Sequence, residues 1–370
     1  MSTLQHLFAN LIGHRTIVWV NSFGHRAPQL TLYDLRRAAG KVRSMLAGYR
    51  VPADGKPGPT RIIEPRALPW HNIAAVRWLN TWSLLHDIRG ALQDVAPGER
   101  PLLITGTPAA VGVVGSLDEV ASLYFCIDDY AELPGVDRDV VAPVEQALLG
   151  KVDAVVATAA RLVELKRPAS GLAYQVPQGV NFDHFAEPRA TPPDIAALPR
   201  PRIGFAGGVS SACDFELLAK IAAAYPHGSV VLVGPVQAGV QPPELPNVHL
   251  LGNKPYDALP AYVQSFDVGI IPYLINDWTL SVDPLKLLEY LAAGIPVVAT
   301  PLPEVKKYAG AIAVADTASA FVAAIAAALP GSGRAECIDG RRAVARQHTW
   351  ARRAARLMQI AEEVAAARAR

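Results

Sequence analysis

From Thr16 to the end of the chain, short runs of β-branched and other apolar residues alternate with longer stretches carrying a helical apolar stripe. Strands separated by helix-length segments cannot pair through tight hairpins. They are joined by crossovers, which makes a parallel sheet and an α/β class the expected outcome. In the first half the strand candidates are Thr16–Ser22, Pro101–Gly106, Ser122–Asp128, Asp153–Ala159 and Ala173–Gly179. Glu187–Arg202 then places five prolines in a stretch with little periodicity and reads as a linker. The pattern restarts with Arg202–Gly207, Ser229–Pro235, Asn247–Gly252, Asp267–Tyr273, Ile295–Thr300 and Ala311–Ala315. Two doubly wound domains are therefore expected, over residues 1–195 and 196–348, facing across a cleft formed by the carboxyl edges of their sheets. A tail helix over 349–370, with apolar residues at Trp350, Leu357, Ile360 and Val364, is expected to pack on either domain, and a return to the first is one route open to it.

A chain of 370 residues is long enough for two buried cores. Half of it is apolar (51%) and 31 prolines and 28 glycines are spread without period, which excludes a fibrous or largely disordered protein. The net charge of +2 argues against wholesale nucleic-acid binding. Its distribution is uneven: residues 1–100 carry 13 Lys/Arg against 6 Asp/Glu, and residues 101–195 reverse this with 6 against 13. A basic first half-domain is compatible with an anionic partner such as a membrane surface, and equally with a solvated arginine-rich face. Cys126, Cys213 and Cys337 have no ligand or disulfide spacing, so a zinc site is not expected and a reducing cytoplasm is. His6, Asn10, His14 and Arg15 interrupt the apolar N-terminus, so no signal peptide is expected. Asp316, Thr317 and Ser319 interrupt Ala309–Leu329, which reads as a loop and a helix start rather than a span.

The segment with most chemistry is Leu280–Thr300, LSVDPLKLLEYLAAGIPVVAT. Asp283 suits an N-cap and Pro284 the first helical position, Gly294 ends the helix, and a buried strand follows. Such a helix start offers unpaired N–H groups and the positive end of a dipole, the requirements for holding a diphosphate. Lys286 adds a cation in the first turn. Glu289, three residues on, lies on the same face where its carboxylate can accept hydrogen bonds from the two hydroxyls of a ribose. The competing reading is an ordinary i,i+3 ion pair on a solvated face.

With Pro284, Lys286 and Glu289 leading in register into AAGIPVVAT, the sequence resembles the GT-B glycosyltransferases, in particular the bacterial group 1 glycosyl transferases that use nucleotide sugars. The resemblance extends to NVHLLGNKPYDALPAYVQSFDVGIIPY, to YFCIDDYAELPG and to the GVNFDHF turn at Gly179–Phe185. It spans residues 16 to about 360 and is strongest after Arg202. It implies GT-B architecture with two Rossmann-like domains, the acceptor on the first and the donor on the second. It further implies that Glu289 binds the donor ribose, that Lys286 and the backbone at Pro284 and Leu285 hold the diphosphate, and that the Gly252–Tyr256 loop lies near the base. Many relatives carry a glutamate eight positions before the ribose-binding one, contacting the transferred sugar. This chain has Ser281 there, which leaves the sugar and the stereochemical course open, because a hydroxyl cannot supply a carboxylate's charge.

Gly207 and Gly208 follow a strand and precede a helix, allowing backbone to approach a phosphate closely. The spacing is not GxGxxG and no acidic residue follows the next strand, so a dinucleotide-dependent oxidoreductase is not expected. Asp128 and Asp129 end a buried strand of the first domain. One of them, desolvated, could take the proton of an acceptor hydroxyl, as suits an inverting reaction. After the first strand, Gly24 permits close approach while His25 and Arg26 are candidates to meet a phosphate or the acceptor. Asp137-Arg138-Asp139 opens a helix and reads as a cap, not a metal motif. Trp70, Trp78 and Trp82 read as packing residues. The expected activity is transfer of a hexose-type group from a nucleotide diphosphate sugar, UDP-linked by preference, to a saccharide or lipid-diphosphate-linked acceptor, without metal or other cofactor, in polysaccharide or glycolipid synthesis. The alternatives are a nucleotide-sugar epimerase of the same fold and a non-catalytic nucleotide-sugar-binding protein.

Overall fold

The computed structural model describes residues 2–21, 58–65, 74–330 and 333–370. Gly24, His25, Arg26 and Trp70 lie outside the described residues. The chain divides into two compact units, the first comprising 2–157, 163–175 and 354–370, the second 158–162 and 176–353. The division near the middle therefore falls at 175/176 and not at 195. The proline-rich stretch belongs wholly to the second unit, where Pro193–Ala196 forms a helical turn that buries Ile195. Asp194 in that turn accepts a hydrogen bond from Tyr262 Oη at 3.0 Å and pairs with Lys254 at 2.8 Å, so contacts within one unit override the linker composition.

In the first unit helix α1 (Thr3–Ala9) opens on a capping box made by Ser2 and Gln5. Strands β1 (Val18–Val20) and β2 (Arg61–Ile63) pair in parallel. β2 was not anticipated, because three residues in a proline-rich context carry no detectable period. Helix α2 (Ala74–Val95) buries Asn80, Leu84, Ile88 and Ala91, a stripe of helical spacing. Trp78 and Trp82 sit on the opposite face, 65% and 57% exposed, so the packing role expected of them is corrected to a solvent-facing one. Next come β3 (Leu102–Thr105), β4 (Ala121–Cys126), helix α3 (Arg138–Leu149), β5 (Ala154–Ala157), helix α4 (Ala160–Leu165), whose first residues to Leu162 count with the second unit, and β6 (Ala173–Gln175). The strands β3-β4-β5-β6 form one parallel sheet, with β4 and β5 buried on both faces. Asp137 caps α3 by accepting from Asp139 N–H.

The second unit holds helix α5 (Phe182–Ala186), β7 (Arg202–Ala206), helix α6 (Phe215–Ala224), β8 (Ser229–Val233), β9 (Val248–Gly252) and β10 (Val268–Ile271). Helix α7 (Leu285–Ala293), β11 (Val297–Ala299), β12 (Ala313–Val314) and helices α8 (Ala318–Ala328) and α9 (Ala335–Arg346) complete it. Helix α10 (Trp350–Arg368) begins here and continues into the residues of the first unit, burying Trp350, Leu357, Ile360 and Val364. The six parallel strands run β9-β8-β7-β10-β11-β12. Strand order thus reverses between β7 and β10, which splays the following loops apart and leaves a crevice at the carboxyl ends. The GVNFDHF turn belongs to this unit too: Val180 N–H donates to His348 O at 2.9 Å and Phe185 is fully buried.

The carboxyl ends of β7 and β8 are locked backbone to backbone. Gly207 N–H donates to Val233 O at 2.8 Å and Val209 N–H to Pro235 O at 2.9 Å. Gly234 has φ +151°, and a Cβ there would sit 1.9 Å from Gly207 O. Neither atom can yield, since both belong to hydrogen-bonded main chain. Replacing Gly234 by Ala is expected to lower stability by about 1–3 kcal/mol through forced backbone strain. Gly208→Ala, where a Cβ meets open space, is expected to stay within about 0.5 kcal/mol. Calorimetric melting of the two variants checks the contrast.

Candidate functional site

Helix α7 starts one residue later than expected. Pro284, with φ −77° and ψ 105°, is the N-cap and has no side-chain capping bond, and the first helical residue is Leu285. Asp283 does not cap the helix: its Oδ2 accepts from the main-chain N–H of Gln178 at 2.8 Å. Proline has no N–H, so the free amides at this end belong to Leu285 and Lys286, while that of Leu287 already donates to Pro284 O at 3.0 Å. Helix α7 is pinned beneath the sheet by Tyr290, whose hydroxyl accepts from Ala206 N–H at 2.6 Å and whose ring fills the space beside Gly269.

This anchoring sets Lys286 against the two loops at the strand reversal. Its ammonium donates to Tyr273 Oη and lies over the rings of Tyr273 and Phe205, 4.6 and 4.7 Å from their centroids. A Cβ on Gly207 would come within 2.8 Å of Lys286 Cε, so the glycine is what lets the strand-end turn and the lysine share one place. Gly207 has φ +140°. Gly208 beside it is exposed and open. Among the described residues Lys286 has no carboxylate partner within ion-pair distance. The structure thus brings Gly207, Gly208, Pro284, Leu285 and Lys286 together as one cationic, amide-rich corner.

Glu289 is 7% exposed, which excludes the solvated ion pair. Burial pushes its carboxyl up to about 7, against the opposing pull of the Lys286 charge. It accepts no hydrogen bond among the described residues. Its charge and burial together raise the Tyr256 hydroxyl above its ordinary range, burial being the larger cause. Tyr256 stacks on His184 of α5 with ring centroids 4.7 Å apart, and His184 Nε2 lies 3.2 Å from Tyr256 O. An acid one turn into the helix, flanked by an aromatic loop residue, is a polar socket that still lacks its donors. Asp283 is likewise raised to about 7 by burial, with the Gln178 hydrogen bond opposing. Ser281 is fully buried at the end of a turn covering Thr279–Ser281, and its hydroxyl has no partner.

In the first unit the paired aspartates diverge. Asp129 is buried and accepts from Lys166 Nζ at 2.7 Å; the same ammonium donates to Glu145 at 2.7 Å, and Glu145 accepts from Tyr124 Oη at 2.7 Å. Asp129 is therefore held as a structural anion. Asp128 is half-buried just past the end of β4, and its main-chain carbonyl accepts from the Cys126 thiol at 3.3 Å. The sequence reading missed Lys166 and Glu145, because a charge just past a helix end or within a helix looks the same in sequence whether it faces solvent or a buried partner. Among the described residues no cluster of His, Cys, Asp and Glu could hold a metal ion, and no helix is long and apolar enough to cross a membrane.

Residues 200–330, which hold the whole of this corner, match the family described as Glycosyl transferases group 1. Over 294 residues, 72% of this chain and 74% of the other, the protein is 29% identical to a Bacillus subtilis glycosyltransferase assigned to teichuronic acid biosynthesis, TuaH. Among solved structures it is similar to sucrose-phosphate synthase of Thermosynechococcus elongatus, with a TM-score of 0.66, 18% identity, and coverage of 95% of this chain and 100% of that one. It is also similar to HepE of Anabaena in complex with UDP, with a TM-score of 0.59, 13% identity, and coverage of 82% and 86%. The strand order and these likenesses define a glycosyltransferase of GT-B fold. The family match lies wholly within the second unit.

Glu289 ionises near the usual 4.5 when unfolded and near about 7 when folded. Between those values the folded chain keeps a proton that the unfolded chain has lost, so ligand-free stability is greatest below the lower value and falls as pH rises toward 7. Asp283 acts in the same direction from 3.8. Glu289→Gln removes the first contribution, so its melting temperature should exceed that of the parent by more at pH 8 than at pH 5. A pH-independent difference would refute the burial argument. Lys166→Met, which strands two buried carboxylates, should cost about 3–5 kcal/mol and appear as an earlier calorimetric transition.

Proposed function

We propose that the protein transfers a sugar from a UDP-sugar to a hydroxyl of a saccharide or lipid-diphosphate-linked acceptor during bacterial polysaccharide assembly. The observation that carries this reading is the buried carboxylate of Glu289, without a hydrogen-bond donor among the described residues, one helical turn beyond the free amides of Leu285 and Lys286 and an ammonium that has no carboxylate partner. A ribose brings two hydroxyl donors to the acid, and its diphosphate brings anions to the helix start. The complexes of HepE with UDP and UDP-glucose support the choice of base, and the pathway named for TuaH supports the acceptor class. Tyr256 lies beside the base and Ser281 beside the sugar.

In this mechanism the acceptor oxygen attacks the anomeric carbon, the bond to the UDP oxygen breaks, and the diphosphate departs with both electrons. Lys286, the Leu285 and Lys286 amides and the open backbone at Gly207 and Gly208 stabilise the charge that develops on the leaving group. No metal or other cofactor is used, since the cation and the helix dipole meet that charge. Asp128 takes the acceptor proton in the first unit, with His25 as a second candidate and Gly24 and Arg26 beside it on the acceptor side. Asp129 keeps its ion pair. The basic balance of residues 1–100, the exposed Trp78 and Trp82, and 9 Lys/Arg against 4 Asp/Glu in residues 334–370 support peripheral contact with an anionic leaflet.

Titration calorimetry with UDP-glucose and UDP should show Lys286→Ala and Glu289→Ala each weakening binding by about tenfold or more, the scale of one hydrogen bond to a charged group. Unchanged affinity in both variants would remove the donor site from this corner. Donor binding to the parent protein should also release protons near pH 7, because hydroxyl donors draw the raised Glu289 carboxyl back to its ionised form.

A further inference from the structure

Three buried polar atoms lack a hydrogen-bond partner among the described residues, and all belong to the second unit: Arg161 Nε, Trp278 Nε1 and Ser281 Oγ. The first two are obligate donors and the third carries a donor hydrogen. An unpaired buried donor is costly and uncommon, so three of one kind in one unit call for an acceptor.

They also share a neighbourhood. Arg161 Nη2 binds Asp277 Oδ1 at 3.3 Å, directly beside Trp278. Ser281 N–H donates to Trp278 O at 2.9 Å, so these two residues are joined by one tight turn. That turn packs against the short helix Pro303–Lys306, whose Glu304 accepts the N–H of Ala160 at 2.8 Å. The start of α4 and the Thr279–Ser281 turn are thus tied together twice.

The carboxylates close to them are already engaged: Asp277 by Arg161, Glu304 by Ala160 and Lys307, and Asp283 by Gln178. What remains free is a set of donors with no acceptor, and one donor is on a guanidinium. Such a set receives an anion. Ser281 lies four residues before Leu285, at most about 14 Å of extended chain from the amides assigned to the diphosphate, within reach of a sugar attached to it. A glutamate at this position, as in many similar transferases, would repel an anionic sugar substituent, whereas serine does not.

We propose that the transferred sugar carries a carboxylate, as in a hexuronic acid, received by Arg161 Nε–H, Trp278 Nε1–H and Ser281 Oγ–H. This rests on the donor site proposed above. The test is calorimetric titration of the full chain with UDP, UDP-glucose and UDP-glucuronate. UDP-glucuronate should bind about tenfold or more tighter than UDP-glucose, a preference the size of one charge-assisted hydrogen bond. Arg161→Gln should abolish that preference and leave UDP affinity within about twofold. Ser281→Glu should reverse it, with melting curves to confirm that both variants fold.

If UDP binds but the two sugars do not differ, the anionic-sugar assignment is wrong and the donor site stands. Equal weakening of UDP and UDP-glucuronate in Arg161→Gln would place the donors on the diphosphate and overturn the assignment. Absence of UDP binding by the parent protein would overturn both readings.

Discussion

A carboxylate enclosed in protein with no donor to stabilise it is the constraint around which the second unit is arranged. Glu289 is buried on α7, a helix that packs on α5, and its raised titration follows from that burial. The same helix carries Leu287, Leu288, Tyr290 and Leu291 into the core, so it cannot rotate to expose the acid without unburying them. The apolar stripe therefore fixes the acid in place, and its unfavourable solvation is what the proposed ribose would relieve. Lys286, one turn earlier, reaches the opposite kind of surroundings: two aromatic faces and a glycine turn, which hold a cation without neutralising it.

The first unit solves the burial of charge in the other way. Tyr124, Glu145, Lys166 and Asp129 satisfy one another completely enough that the ammonium serves two carboxylates at 2.7 Å each. Such a network holds the turn after β4 rigid and is a cost-neutral arrangement only while intact. Satisfied charges build a scaffold and unsatisfied ones await a ligand. On that criterion Asp129 belongs with the scaffold and Glu289 with the proposed site, although both are buried acids in buried surroundings.

Much of the architecture was legible in the chain. Eleven of the strand candidates coincide with β1 and β3–β12, because parallel strands buried on both faces read as continuous apolar runs and their helices as striped ones. The placement of α7 between Pro284 and Gly294 was legible for the same reason, since capping and termination depend on local residues. What escaped was set by distant partners. Asp283 looks like a cap until the Gln178 amide, more than a hundred residues away in sequence, claims it. The proline-rich stretch looks like a linker until Asp194 and Ile195 anchor it to the second unit. Trp78 and Trp82 have the spacing of a core stripe, but the stripe at Asn80, Leu84, Ile88 and Ala91 has it too, and periodicity alone cannot choose between opposite faces of one helix.

The departure at Ser281 shows how motif and geometry divide the work. A motif reports only that a charge expected at one position is missing, which reads as a loss. The structure adds that the substituted hydroxyl is buried and unpaired, and that an indole N–H three residues earlier and a guanidinium N–H from α4 are unpaired as well. Had the serine simply replaced an acid made dispensable, neighbouring donors that once faced that acid would be expected to turn to solvent or to the engaged carboxylates of Asp277 and Glu304. They do neither. The proposed sugar site presents donors where an acceptor would favour a neutral sugar, and in that proposal the sign of the complement, more than the size of the side chain, selects among sugars of one ring shape.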